Sequence, residues 1–427
     1  MAAPETPMLP ARTVIPASAA ETEIVTVVAP GGTGLPRRTG GYAIDRVVEL
    51  TRLITNLLAA GSRIDKLAYR KSLEARAPAS VKALANDLAC YAGFSARAGG
   101  LGLPADEARI VAFVEDCERR GLKPATVGRR LASLATVHGL LGAANPVAGP
   151  IVRDALRGFR RRFGAGQRQA GALRYGEGVG GETPKGFTLS ALLEACPGNV
   201  AGLRDAALLS VGYDAGLRVS ELVAIFCEHI TKQDDGSGLF VIPRSKTDQE
   251  GRGATAWLSP DTMRRVAGWQ SEACVAQGPL FRRVAVIRTQ ARPARRARAL
   301  SELQGNARWD LTALQPEPAQ PAAVTYAIGE TALTAAAVRQ ILKRTARRAA
   351  NEGLVALFGA ELDAAIAALS THSLRVGLTQ DLFASGEDAG PIAQALRWTS
   401  TATALRYGRN LLPSSGATAR MLKNVRE

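Results

Sequence analysis

The chain has 427 residues, more than one hydrophobic core usually supports, so two domains are expected. Its 54 Lys and Arg against 38 Asp and Glu give a net charge of +16, a field that draws polyanions to the surface. Five cysteines, odd in number and without a C-x-x-C pair, suggest neither a disulfide framework nor a zinc site, and only three histidines leave few ligands for a transition metal.

Residues 1–41, beginning "MAAPETPMLPARTVIPASAA", are rich in Pro, Gly, Ala and Thr without periodicity and are expected to be a disordered tail. The start lacks a basic segment followed by a long apolar run, so no signal peptide is expected. From 42 to 163 the apolar residues recur at i, i+3, i+4 in "YAIDRVVELTRLITNLLAAG", "SVKALANDLACYAGFSARAG", "ADEARIVAFVEDCERRG" and "KPATVGRRLASLATVHGLL", which predicts a domain of four or five helices. The uncharged stretch 131–152 is interrupted by Pro146 and Pro150 and reads as a buried helix and a loop, not a membrane span. The last helix, "GPIVRDALRGFRRRFG", gathers Arg160, Arg161 and Arg162, too many cations to bury.

The Gly-rich stretch 164–186 reads as an interdomain linker. A second domain, 187–427, follows. There "GLRDAALLSVGYDAGLRVSELVAI" predicts helix, turn, helix, and "GLFVIPRSKTDQEGRGATAWLS" two short strands about a polar turn. Residues 286–323 combine an Arg cluster with a Pro/Gln/Ala run and are expected to be an inserted surface segment, partly disordered. Helices resume at "TALTAAAVRQILKRTARRAANEG". The fold class is mainly α with a small β-hairpin or sheet.

Four separated pieces hold residues suited to phosphodiester chemistry: "GLRVSEL" (Arg218, Glu221), "RSKTD" (Lys246), "HSLR" (His372, Arg375) and "RWTSTATALRYGR" (Trp398, Tyr407). A phosphodiester is anionic and gathers further charge on its oxygens in the transition state, so fixed cationic donors are needed there. Arg218 and Arg375 offer planar, always-charged forks. A Tyr407 phenol is neutral near pH 7 and needs a base, for which His372 is the candidate. Singly, each has a plainer explanation: Arg-x-x-Glu as a surface pair, Lys246 as a solvated turn residue, His372 as a cap, Trp398 and Tyr407 as core aromatics. His138 and His229 read as structural.

Taken together and in this order, the pieces resemble the tyrosine recombinase (phage integrase) family. The resemblance is nearest to its Cre branch, which has Trp instead of His nine residues before the tyrosine. It implies a helical, SAM-like core-binding domain and a catalytic domain closing as a C-shaped clamp on DNA. It also implies a site-specific recombinase that cuts and rejoins strands through a 3′-phosphotyrosine and a Holliday junction, without metal, ATP or other cofactor. The roles it implies are Tyr407 as nucleophile, Lys246 as general acid on a mobile hairpin, and Trp398 as an indole donor to a phosphate oxygen. Glu221 would orient its basic neighbours. The implied partners are double-stranded DNA carrying inverted repeats and three further copies of the chain, with the C-terminal "SGATARMLKNVRE" docking on a neighbour. A cytoplasmic, DNA-associated location follows.

Lys82, Arg129 and Arg130 lie on helices that by this resemblance enter major grooves. Arg339, Lys343 and Arg347 form an i, i+4, i+8 stripe beside Val338, Ile341 and Leu342, as on a helix lying against DNA. Two other readings compete: a type IB topoisomerase-like enzyme that relaxes DNA, and a non-catalytic DNA-binding or architectural protein on the same fold. The helical N-terminal domain and Trp398 oppose the first; the full set of Arg218, Lys246, His372, Arg375 and Tyr407 opposes the second.

Overall fold

The computed structural model describes residues 13–14, 24–30, 46–59, 66–99, 102–164, 166, 169–176, 186–242, 253–302, 314–408, 418 and 421–422. The chain divides into two compact units, one of residues 38–169 and one combining 1–37 with 170–427. Their hydrophobic cores are separate.

The 38–169 unit holds helices α1 (Arg46–Leu57), α2 (Lys66–Glu74), α3 (Pro78–Ala98), α4 (Glu107–Arg119), α5 (Pro124–Leu140) and α6 (Pro150–Phe163). Prolines at the first position of α3, α5 and α6 set helical φ where no intrahelical N–H bond is lost. Asp106 caps α4 by accepting from the Arg109 N–H at 2.7 Å. The apolar stripes converge on Leu50, Ile54, Leu88, Tyr91, Phe113, Val127 and Phe159, with Tyr91 meeting Phe113 edge-on at 5.2 Å. His138 is fully buried: its Nε2 accepts from Ala105 N–H at 2.9 Å, so Nδ1 carries the proton and donates to the Leu134 carbonyl at 2.8 Å. It is a structural strut, as its place on an apolar stripe predicts.

The second unit is built on α7 (Leu189–Glu194), α8 (Val200–Asp214), α9 (Val219–Leu222), α10 (Pro260–Ala273), α11 (Ala335–Asn351), α12 (Gly359–Ala368), α13 (Ser373–Ala384), α14 (Ala389–Ala395) and α15 (Thr401–Gly408). Helix α8 is buried almost all round, which explains why its sequence lacks a polar face; its buried charges, Arg204 and Asp205, pair with each other at 2.6 Å. Among the described residues seven strands accompany the helices: β1 (Thr13–Val14), β2 (Ile24–Val28), β3 (Ile230–Lys232), β4 (Gly238–Ile242), β5 (Ala254–Leu258), β6 (Arg282–Thr289) and β7 (Ala323–Ala332). β3, β4 and β5 make an antiparallel sheet that contains the predicted hairpin; β1, β2, β7 and β6 make a second sheet in that order. Among the described residues no helix is long and apolar enough to cross a membrane, and no group of three His, Cys, Asp or Glu could hold a metal ion.

Three expectations are corrected. Inside the 1–41 stretch read as tail, β2 runs parallel to β7, with Ile24 opposite Ala323 and Val28 opposite Ala327; "IVTVV" is a short β-branched run whose partner lies three hundred residues away. In the 164–186 stretch read as linker, residues 170–176 dock on the second unit. Gly171 N–H donates to Ala368 O and Leu173 N–H to Ser373 O, both at 3.0 Å, and Leu173 and Arg174 are buried. The 286–323 stretch, expected to be an inserted surface segment and partly disordered, is ordered at its two ends, where 286–289 and 323 belong to the antiparallel β6–β7 pair that runs from Arg282↔Ala332 to Thr289↔Ala323; residues 303–313 lie outside the described residues. Bridges at Arg292↔Gln320 and Arg295↔Glu317 continue the pair.

Candidate active site

Arg218 stands at the start of α9. It is delivered by Gly216, whose φ of 53° turns the chain sharply after α8. Glu221, one turn on, folds back as its spacing predicts: Oε2 accepts from the Arg218 N–H at 2.9 Å and Oε1 from Arg218 Nη1 at 2.8 Å. The carboxylate is buried, whereas Arg218 keeps 19 % of its side chain exposed, so the guanidinium is tethered at one edge and open at another.

His372 and Arg375 occupy the N-terminal end of α13. Arg375 is fully buried; Nη1 donates to the Gly216 carbonyl at 2.5 Å and Nη2 to the Leu396 carbonyl. These bonds tie together the turn before Arg218, α13 and the segment that leads to Trp398. The Arg375 guanidinium also lies over the Trp398 ring, 4.8 Å from its centroid. Burial first, then the charges of Arg218 and Arg397, bring the Arg375 pKa down to about 10; it remains a cation at neutral pH.

Trp398 stacks on Tyr407 with centroids 5.0 Å apart and planes 10° from parallel. The nine-residue spacing spans the turn between α14 and α15, so the two aromatics face each other across a bend. The Tyr407 hydroxyl is hydrogen-bonded to His372 Nε2. Burial, followed by the charges of Arg375 and Arg218, pushes the His372 pKa down, which keeps the imidazole neutral and able to accept the phenolic proton. The structure therefore brings Arg218, Glu221, His372, Arg375, Trp398 and Tyr407 into one site. Lys246 lies outside the described residues, between β4 and β5.

A residue the sequence reading passed over also enters this site. Arg397 places Nη2 3.1 Å from the Ala215 carbonyl and 3.6 Å from Glu221 Oε2. Nothing in "LRWTS" marks it, since an Arg beside a Trp usually reads as solvated.

The residues picked for DNA contact divide. Lys82, Arg160 and Arg161 are exposed on α3 and α6, and Arg339 on α11. Arg129 pairs with buried Asp87 at 2.5 Å, Arg162 forks onto Glu118 at 2.8 and 2.7 Å, and Arg347 reaches Asp363 at 2.9 Å. Arg130 is half-buried on α5, with Nη1 3.7 Å from Cys117 Sγ and a buried Nε. Lys343 borders an open groove of about 650 Å³ along α11, together with Arg344, Arg347 and Arg348. The basic face is thus wider than the i, i+4, i+8 stripe.

No protein-family model matches the chain. It is 29 % identical over 236 residues to an integrase/recombinase xerD homolog of Selenomonas ruminantium, covering 53 % of this chain and 66 % of that protein, just under two thirds of its length. It is 26 % identical over 327 residues to the recombinase cre of Escherichia phage P1, covering 75 % of this chain and 81 % of that protein. Among solved structures it is similar to the XerH site-specific recombinase bound to palindromic difH substrate, at 14 % identity and a TM-score of 0.49, over 89 % of this chain and 95 % of that one.

Proposed function

We infer that this chain, a member of the tyrosine recombinase family, cleaves and rejoins double-stranded DNA at specific sites by transesterification through Tyr407. The observation that carries the reading is the Tyr407 hydroxyl on His372 Nε2 beside two arginines, one wholly buried. A structural tyrosine needs only one hydrogen-bond partner and no cationic pocket.

The assigned steps balance. Tyr407 Oη attacks the phosphorus while His372 takes its proton; the bond to the 5′-oxygen breaks, leaving DNA joined through a 3′-phosphotyrosine. Arg218 and Arg375 stabilise the charge that builds on the non-bridging oxygens, and Trp398 adds an indole N–H. Lys246, on the β4–β5 connection, protonates the departing 5′-oxygen. The ester persists in the phosphotyrosine, so a 5′-hydroxyl from a partner strand reverses the step without ATP. Four copies on two inverted-repeat sites, a Holliday-junction intermediate and a nucleoid location complete the reading. It is supported by the relatives' printed names and by the basic faces of α3, α6 and α11.

The test is direct. Full-length protein is incubated with DNA flanking its own gene, quenched in detergent and examined for a covalent protein–DNA species. Wild type forms it and Tyr407→Phe does not; an adduct that survives in Tyr407→Phe removes Tyr407 as the nucleophile, and none with wild type removes the cleavage reading. Lys246→Ala slows cleavage of ordinary DNA about a hundredfold but spares a 5′-bridging phosphorothiolate, whose leaving thiolate needs no proton. Equal slowing of both substrates would refute the acid role.

A further inference from the structure

Two non-glycine residues among those described have positive φ, Cys274 at 51° and Arg397 at 56°. Cys274 is an exposed helix C-cap, where left-handed backbone is common. Arg397 also closes a helix, its N–H donating to the Gln394 carbonyl at 3.0 Å and the Trp398 N–H to the Ala393 carbonyl at 2.8 Å at the end of α14; unlike Cys274 it is turned inward, with only 10 % of its side chain exposed. A long, inward-turned cationic side chain at a cap position where glycine is the usual residue points to a role for its head group.

That head group is only partly satisfied. Nη2 donates to the Ala215 carbonyl at 3.1 Å, Nη1 to the Ala395 carbonyl at 3.4 Å, and Nε is buried without a hydrogen-bond partner. Its Nη2 is 3.6 Å from Glu221 Oε2, while the other oxygen of that carboxylate holds Arg218 Nη1 at 2.8 Å. One carboxylate therefore lies between two guanidiniums. The buried Arg375, linked to the same turn through Gly216 O, makes three arginines to one Glu and leaves two positive charges in excess. Arg375 Nε is likewise buried and unpartnered. Such an excess is stable beside an anion.

We propose that Arg397 is a positioning residue for strand cleavage: by engaging Glu221 and the Ala215 carbonyl it fixes the turn from Ala215 to Glu221 and leaves the Arg218 fork available to the DNA phosphate. This rests on the cleavage reading above. Without Arg397, Glu221 has Arg218 as its sole guanidinium partner in this cluster, and the Arg218 fork is held back on the carboxylate.

The test uses full-length Arg397→Gly and Arg397→Lys, with three readouts: thermal unfolding, single-turnover formation of the covalent DNA adduct, and calorimetric titration with orthovanadate, a phosphate mimic that needs no target sequence. Glycine adopts φ near 56° without strain, so Arg397→Gly unfolds at or above the wild-type temperature while cleaving about tenfold more slowly and binding orthovanadate more weakly. Arg397→Lys recovers most of the rate. If Arg397→Gly cleaves and binds orthovanadate as wild type does, or if activity falls only in step with lost stability and Lys gives no recovery, the proposal is wrong. If wild type forms no adduct yet Arg397→Gly still weakens orthovanadate binding, the cleavage reading fails and the placement of Arg397 in the anion site stands.

Discussion

At the scale of single residues, the site turns on His372 being neutral. Burial and the flanking Arg375 and Arg218 hold its pKa below the usual histidine value. Neutral imidazole is the form that accepts a proton from Tyr407, so protonation as pH falls switches cleavage off. The acid limb of a single-turnover pH profile is therefore expected below ~6.5. Arg218→Gln removes one of the cations that depress it, so the limb moves upward, while the plateau rate falls on the order of a hundredfold with the loss of a phosphate donor. A limb that stays in place in Arg218→Gln would show that another group titrates. The sign for stability is the same: a folded-state pKa below the unfolded one gives stability that is present above ~6.5 and is lost as pH falls through the folded value.

At the scale of elements, helix α13 positions His372 and Arg375, and the segment 170–176 clasps α13 on the unit it shares with α8, α14 and α15. A Cβ on Gly377 would lie 1.8 Å from the Leu173 carbonyl, so only glycine lets that segment approach so closely. Along the helix, buried Asp381 accepts from Arg174 Nε at 2.5 Å, from the Tyr175 N–H at 2.7 Å and from the Tyr213 hydroxyl. Burial of the phenol, and after it the Asp381 charge, push the Tyr213 pKa up, so the phenol stays a donor. Asp381→Ala takes the buried carboxylate away from Arg174 Nε, the Tyr175 N–H and the Tyr213 hydroxyl at once and is expected to cost about 3–5 kcal/mol, seen in denaturant unfolding; a loss below about 1 kcal/mol would mean that this clasp does not hold the helix. This clasp was not legible in the sequence, because "GALRYG" has no period and its partners are two hundred residues away. The same holds for β2, whose only local signal is "IVTVV". By contrast α3 to α5 were legible from their apolar spacing. Arg218, His372, Arg375, Trp398 and Tyr407 were singled out because their types suit phosphodiester chemistry and their order resembles that of a known family, and the structure brings them together. Arg397 was not: its meaning lies in contacts with Ala215 and Glu221, far back in the chain, that no local spacing rule encodes.

At the scale of the whole molecule, +16 is a statement about partners, and the structure sorts the cations that carry it. Many are committed internally: Arg129 to Asp87, Arg162 to Glu118, Arg344 to Asp205, Arg348 to Glu352. Lys82, Arg160, Arg161 and Arg339 are exposed and have charge to spare for phosphates. Neutralising a phosphate releases condensed counterions, so binding to duplex DNA should weaken steeply with salt, and each phosphate contact contributes about −0.9 to the slope of log K against log salt. Arg161→Gln and Arg339→Gln should therefore each flatten that slope by about 1 on DNA of arbitrary sequence. Arg130→Gln should change it less, because Arg130 is half-buried with its guanidinium against Cys117. A slope that responds to Arg130 as it does to Arg339 would place α5 against the DNA backbone in an orientation other than the one its packing shows. Slope, unlike affinity, separates the two, since a destabilised variant loses binding at every salt concentration alike.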